Sequence, residues 1–149
     1  MRDRKALVRL ILSLIIGGIF IYAGVIKAID PLRFANDIEN YRALSRPLGI
    51  RLALYLPWLE IFCGLALICA WLREGAVAIL SAATIVFVAV SIATKARGID
   101  IDCGCFGAAG KGLTFGTHLA IDLAILAALV VLWFLSARGR VDKNEPRGI

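Results

Sequence analysis

The chain has little with which to build a metal centre. Its 149 residues include one histidine and four cysteines. A structural zinc site takes four nitrogen or sulfur ligands, and the two closely spaced cysteines supply only half of that set. The thiol-selective ion Cu(I) stays open at such a pair. The chain has no C-x-x-C, so the usual dithiol motif of thioredoxin-like enzymes is missing. It has no internal repeat and no low-complexity segment, which argues against a solenoid or a linker array. Acids are scarce, with 11 against 17 basic residues and a net charge of +6. The basic residues lie mostly in tails and short loops, which argues against a nucleic-acid surface. No A-x-A-like cleavage site ends the first apolar run, so that run is expected to be a retained span rather than a signal peptide.

Apolar residues are abundant. They make up 60% of the chain, against about 45–50% in soluble domains, and mean hydropathy is +0.85. A spanning helix needs about 20 mostly apolar residues. Four stretches qualify, at residues 7–28, 50–72, 75–94 and 113–136. The fold class expected is all-α, an integral membrane four-helix bundle in up-down-up-down order. The first span carries Gly17, Gly18 and Gly24, small residues that allow close helix contact. Asp30-Pro31 ends it. Residues 32–46 read as a short amphipathic helix between spans 1 and 2. Its apolar set is Leu32, Phe34, Ala35, Ile38, Tyr41 and Leu44; its polar set is Arg33, Asp37, Glu39 and Arg42. The three Trp and Tyr55 suit membrane-interface or lipid-facing positions. Residues 137–149 form a polar tail, expected to be disordered and cytoplasmic.

Four spans put both termini on one side. Nine basic residues then fall on the terminal side and eight on the other, a balance too even to orient the chain by count. The dense cluster Arg2, Arg4, Lys5 and Arg9 favours termini inside. The loop at residues 95–112 then faces the periplasm, where disulfides persist.

That loop holds Asp102-Cys103-Gly104-Cys105-Phe106-Gly107. Two thiols one residue apart close a disulfide only with strain, and strained exposed disulfides are the labile, working ones. Cys103 and Cys105 are therefore the first candidate catalytic residues. Lys95, Arg97 and Lys111 favour a thiolate there, while Asp100 and Asp102 oppose it. A loop staple is the bland alternative. Within the spans, Glu60 is the strongest polar signal, because an ionisable group in a membrane is costly and is functional by default. Lys27, Arg51 and His118 are its candidate partners. His118 and Asp122 stand at i and i+4 and so share a helix face, with Asp122 about 6 Å deeper. Glu60, His118 and Asp122 are candidate proton-handling groups, or else an internally satisfied packing set. Cys63 follows Glu60 by three residues, on the same face. Cys63 and Cys69, six residues apart, face different ways and do not bridge; buried Cys often acts as a small hydrophobe.

The segment from Gly18-Ile19-Phe20 through Ala23-Gly24-Val25-Ile26-Lys27, followed by Asp30-Pro31 and Phe34, resembles the opening of DoxX-like membrane proteins. Pro57 to Glu60 and Leu65-Ala66-Leu67 resemble their second span. The loop string Asp102 to Gly107 is similar to that of the MauE branch, the methylamine-utilisation membrane proteins. The resemblance implies one membrane domain over residues 1–136. It also implies a redox-associated role beside a periplasmic thioredoxin-like partner, in the bacterial inner membrane. The plan is similar to quinone-coupled disulfide generators such as DsbB and vitamin K epoxide reductase relatives. By that analogy a membrane quinone is the cofactor, with Lys27, Glu60, Cys63 and His118 as its contacts. The chain has no second outward-facing cysteine pair, so a partner protein is expected to complete the reaction. The expected function is thiol–disulfide exchange through the C-G-C motif. The alternatives are a non-enzymatic membrane chaperone or scaffold, or a small transporter or metal-handling protein.

Overall fold

The computed structural model describes residues 2–42, 44–98 and 115–144, with side chains placed over 4–42, 44–98 and 115–136. The described residues form five helices and no strand: α1 (Arg2–Ile29), α2 (Pro31–Asn40), α3 (Arg46–Ile68), α4 (Arg73–Ala96) and α5 (Phe115–Asn144). Of these, α1, α3, α4 and α5 are long and apolar enough to cross a membrane. The protein is a multi-pass membrane protein.

Local chemistry sets the breaks. Asp30 separates α1 from α2, and its side chain accepts a hydrogen bond from the Arg33 backbone N–H at 3.0 Å. Pro31 follows at the first helical position, where its missing N–H does no harm. The amphipathic helix stops at Asn40 and does not reach residue 46. Arg42 takes a left-handed φ of 48°, Ser45 is extended as the N-cap of α3, and Pro47 lies in the first turn of that helix. Its buried face is Phe34, Ala35, Ile38 and Tyr41, a helical spacing. Leu32 and Leu44 lie outside that face, at 74% and 43% exposure.

The second span also ends early, at Ile68 instead of residue 72. Ala70 and Leu72 adopt φ of 57° and 50°. Left-handed backbone at a non-glycine residue costs about 1–2 kcal/mol, and here two such residues reverse the chain within four positions. Cys69 is thus the C-cap of α3 and is exposed, not inside a span. At the other end of the chain, helical backbone runs on through the polar segment to Asn144. Propagating a formed helix into Arg, Ala, Val and Lys is easy.

Each spanning helix runs antiparallel to its neighbours. The most extensive packing is α1 on α3; α3 meets α4, α4 meets α5, and α5 returns to α1. The α1–α3 seam is very close. A Cβ on Gly17 would lie 2.7 Å from the Gly64 carbonyl oxygen, and a Cβ on Gly64 would lie 2.8 Å from that of Gly17. The seam is held by van der Waals approach, which drives helix association where lipid removes the hydrophobic effect.

Two apolar clusters fill the interior. Towards the termini, Ile16, Phe20, Leu67, Val77, Leu80, Leu129 and Leu132 pack together. Around α2, Phe34, Ala35, Ile38 and Ala53 form the other. The outer surface is also apolar: Leu14, Tyr22, Phe62, Val86 and Phe134 all point away from the bundle. Trp58, Trp71, Trp133 and Tyr55 are exposed as well. A bundle apolar inside and out is a lipid-embedded one.

Candidate functional site

Where α1 nears its end, Lys27 turns its ammonium into the bundle. Its Nζ donates to Glu60 Oε1 at 2.7 Å and to Oε2 at 2.9 Å. Both side chains are only 4% exposed. Of the three expected partners for Glu60, the fold selects Lys27; Arg51 points outward. The register follows from the glycine seam. A Cβ on Gly24 would lie 2.7 Å from the Pro57 carbonyl oxygen and 3.3 Å from Glu60 Cβ, so the next turn of α1 carries Lys27 alongside Glu60.

Two aromatic rings complete the Lys27 environment. Its Nζ lies 5.1 Å from the centroid of Phe34 on α2 and 5.3 Å from that of Phe87 on α4. Cations within about 6 Å of a ring centroid are drawn to its face. From the fifth helix, Asp122 feels the charges of His118 and of Lys27. His118 and Asp122 are 4% and 9% exposed. Side chains of four helices therefore surround one ammonium group, and the fifth places Asp122 within range of its charge. Across the chain this arrangement is a charged knot tied between two apolar clusters.

Thr84 and Thr94 on α4 donate to the carbonyls of Leu80 and Val90, each at 2.8 Å. Such back-bonding satisfies a hydroxyl within its own helix. Lys95 stands over the Phe115 ring, 5.7 Å from its centroid, and links the facing ends of α4 and α5.

The fold thus pairs Lys27 with Glu60 and buries His118 and Asp122 on α5, with Asp122 within range of the Lys27 charge. It keeps Cys63 apart, packed in the terminal-side cluster among Phe20, Leu67 and Val77. Cys103 and Cys105 lie outside the described residues; the segment that carries them joins Gly98 to Phe115. Among the described residues no group of three or more His, Cys, Asp or Glu is placed to hold a metal ion. Sequence reasoning missed Phe87. A signal was present: Leu80, Thr84, Phe87, Ser91 and Thr94 recur at spacings of four and three, the stripe of a helix seam.

The geometry defines a class: a polytopic four-helix membrane protein with an ion pair and a further acid–histidine pair sealed inside the bundle. The chain belongs to the MauE family. The model of the family described as methylamine utilisation protein MauE matches residues 5–135. The chain is also similar to the methylamine utilization protein MauE of Methylophilus methylotrophus, 32% identical over 94 residues. That stretch is 62% of this chain and 50% of the relative, so it spans half of the relative's length. No solved structure matches.

Proposed function

We propose that this chain is the membrane subunit of a thiol–disulfide exchange system. It would serve a periplasmic thioredoxin-like protein within methylamine utilisation, with the C-G-C loop on the periplasmic face of the inner membrane. The observation that carries the reading is where the buried charged knot lies. His118 is three residues inside α5, about 4.5 Å of rise from the end of the cysteine segment at Phe115. Ionisable groups held in a membrane interior mark proton pathways, and thiol oxidation releases protons.

In the exchange, a partner thiolate attacks one sulfur of a Cys103–Cys105 disulfide and forms a mixed disulfide. The partner's second thiolate then displaces it. The partner leaves oxidised, and Cys103 and Cys105 gain two electrons and two protons. For the return step the co-reactant is a membrane quinone. His118 carries an N–H suited to a quinone carbonyl oxygen, as does Lys27, whose ammonium already serves Glu60. Cys63, in its apolar cluster, has no such part. A quinone bound there would accept the two electrons and two protons.

The test is trapping of mixed disulfides in membranes that hold the full chain and a thioredoxin-fold partner. A partner variant that lacks its second cysteine is expected to accumulate as a mixed disulfide with Cys103 or Cys105 of the native chain, because no second thiolate displaces it. The double variant Cys103→Ser/Cys105→Ser is expected to abolish trapping and leave the partner reduced. An unchanged partner redox state in the double variant would reject the reading in favour of a scaffold.

A further inference from the structure

Glu60 and Asp122 are both buried carboxyls, and they are not equivalent. Glu60 receives two N–H donors from Lys27, and Lys27 is itself held against Phe34 and Phe87. That carboxylate has its counter-charge and its donors. Asp122 has neither to itself. Among the described residues no hydrogen bond reaches its carboxyl. Among the described residues it interacts through the charges of His118 and Lys27, and Lys27 is engaged by Glu60.

Titratable and polar groups near Asp122 are supplied by α5 itself and by the helices packed against it. On α5 itself there is His118, one turn away. From α1 comes Lys27, with Glu60 of α3 behind it. The polar residues of α4, which packs on α5, include Thr84 and Thr94, whose hydroxyls are back-bonded within their own helix, with Ser91 and, at the loop end, Lys95. With both carboxyls ionised, the one ammonium in the knot balances only one of them. A second carboxylate buried without a counter-charge is strongly disfavoured. A proton on Asp122 or His118 makes the knot neutral.

We propose that Asp122 and His118 form a proton-exchange site, with Lys27–Glu60 as its fixed electrostatic frame. The step is the binding of one proton to an Asp122 carboxylate oxygen and its release. Only an O–H bond forms or breaks, and no electron moves. His118, one turn nearer the cysteine segment, passes the proton between Asp122 and the loop side. The physiological use of the site rests on the redox reading above, because that reaction supplies protons; proton binding itself does not depend on it.

The experiment is pH-difference infrared spectroscopy of the full chain in lipid nanodiscs. The expected result is one titrating C=O band of a protonated carboxyl. It shifts when aspartate is isotope-labelled, disappears in Asp122→Asn, moves in Asp122→Glu and survives in Glu60→Gln with a lowered midpoint, because Lys27 is then free to balance Asp122. His118→Gln is expected to displace its midpoint. A band that persists in Asp122→Asn, a band lost only in Glu60→Gln, or no titrating band would overturn the proposal. The isotope shift in the unmutated chain decides the matter if Asp122→Asn does not fold. The double variant Cys103→Ser/Cys105→Ser separates the two readings. A band retained there while thiol trapping shows no exchange in the native chain removes the redox reading and leaves the proton site. Normal trapping without a band does the reverse.

Discussion

Lys27→Met will destabilise the folded bundle by about 3–5 kcal/mol, the range expected when one partner of a buried ion pair is removed. Glu60 would be left with no donor at its carboxylate, deep among apolar helices. Glu60→Leu will act in the same direction by stranding the ammonium of Lys27. The double variant Lys27→Met/Glu60→Leu will be more stable than either single one. With no charge left to strand, the penalty falls away and apolar packing replaces the pair. Reversible unfolding of the four proteins in bicelles closes the double-mutant cycle. Additive losses would show that the two side chains do not act as a pair. Some of the Lys27 effect will come from its rings, because Phe34 and Phe87 bring α2 and α4 to the same ammonium. Phe87→Leu isolates that share, expected at about 0.5–2 kcal/mol.

Gly64→Val will separate α1 from α3 and destabilise the protein by about 3 kcal/mol, at the upper end of ordinary overpacking penalties. The reason is what the new side chain meets. A Cβ at Gly64 would lie 2.8 Å from the Gly17 carbonyl oxygen and 2.8 Å from Ile21 Cγ1. The first contact is with backbone, so it is relieved only by moving a helix. Gly17→Val should behave alike, because the contact is reciprocal. Gly18→Ala is the control. No atom lies within 4 Å of a Cβ at that position, and replacing glycine by alanine inside a helix gains up to about 1 kcal/mol. Two adjacent glycines of α1 are thus expected to respond with opposite sign in the same unfolding assay. Loss of the seam would also move Lys27 away from Glu60, since Gly24 and Lys27 continue the same face of α1. Gly64→Val should therefore weaken the ion pair as well as the packing.

Much of the architecture was legible in the residues. Runs of about 20 apolar residues gave four spans, and Asp30-Pro31 marked the end of the first. Glu60, His118 and Asp122 stood out because ionisable groups are rare in such runs, and all three are buried. The boundaries were less legible. The run at residues 50–72 stays apolar through Leu72, so hydropathy has no reason to stop at Ile68. The chain turns there because Ala70 and Leu72 accept left-handed backbone, a choice enforced by α4 folding back. Leu32 and Leu44 fit an apolar helical stripe by composition, yet Leu32 lies in the first turn of α2 off its buried face and Leu44 lies beyond the end of α2 at Asn40.

By itself the sequence determined a four-span helical membrane protein, its amphipathic connector and the set of polar residues that must be hidden from lipid. Composition and periodicity suffice for that, because each helix satisfies its own backbone and meets the bilayer independently. Only the tertiary structure decided that Glu60 pairs with Lys27 and not Arg51, that Phe87 joins them, and that Cys63 does not. Those choices depend on the axial register and rotation of one helix against another. That register is set at a few close approaches such as Gly17 on Gly64 and Gly24 on Pro57. Periodicity within one helix carries no information about the height at which it meets its neighbour.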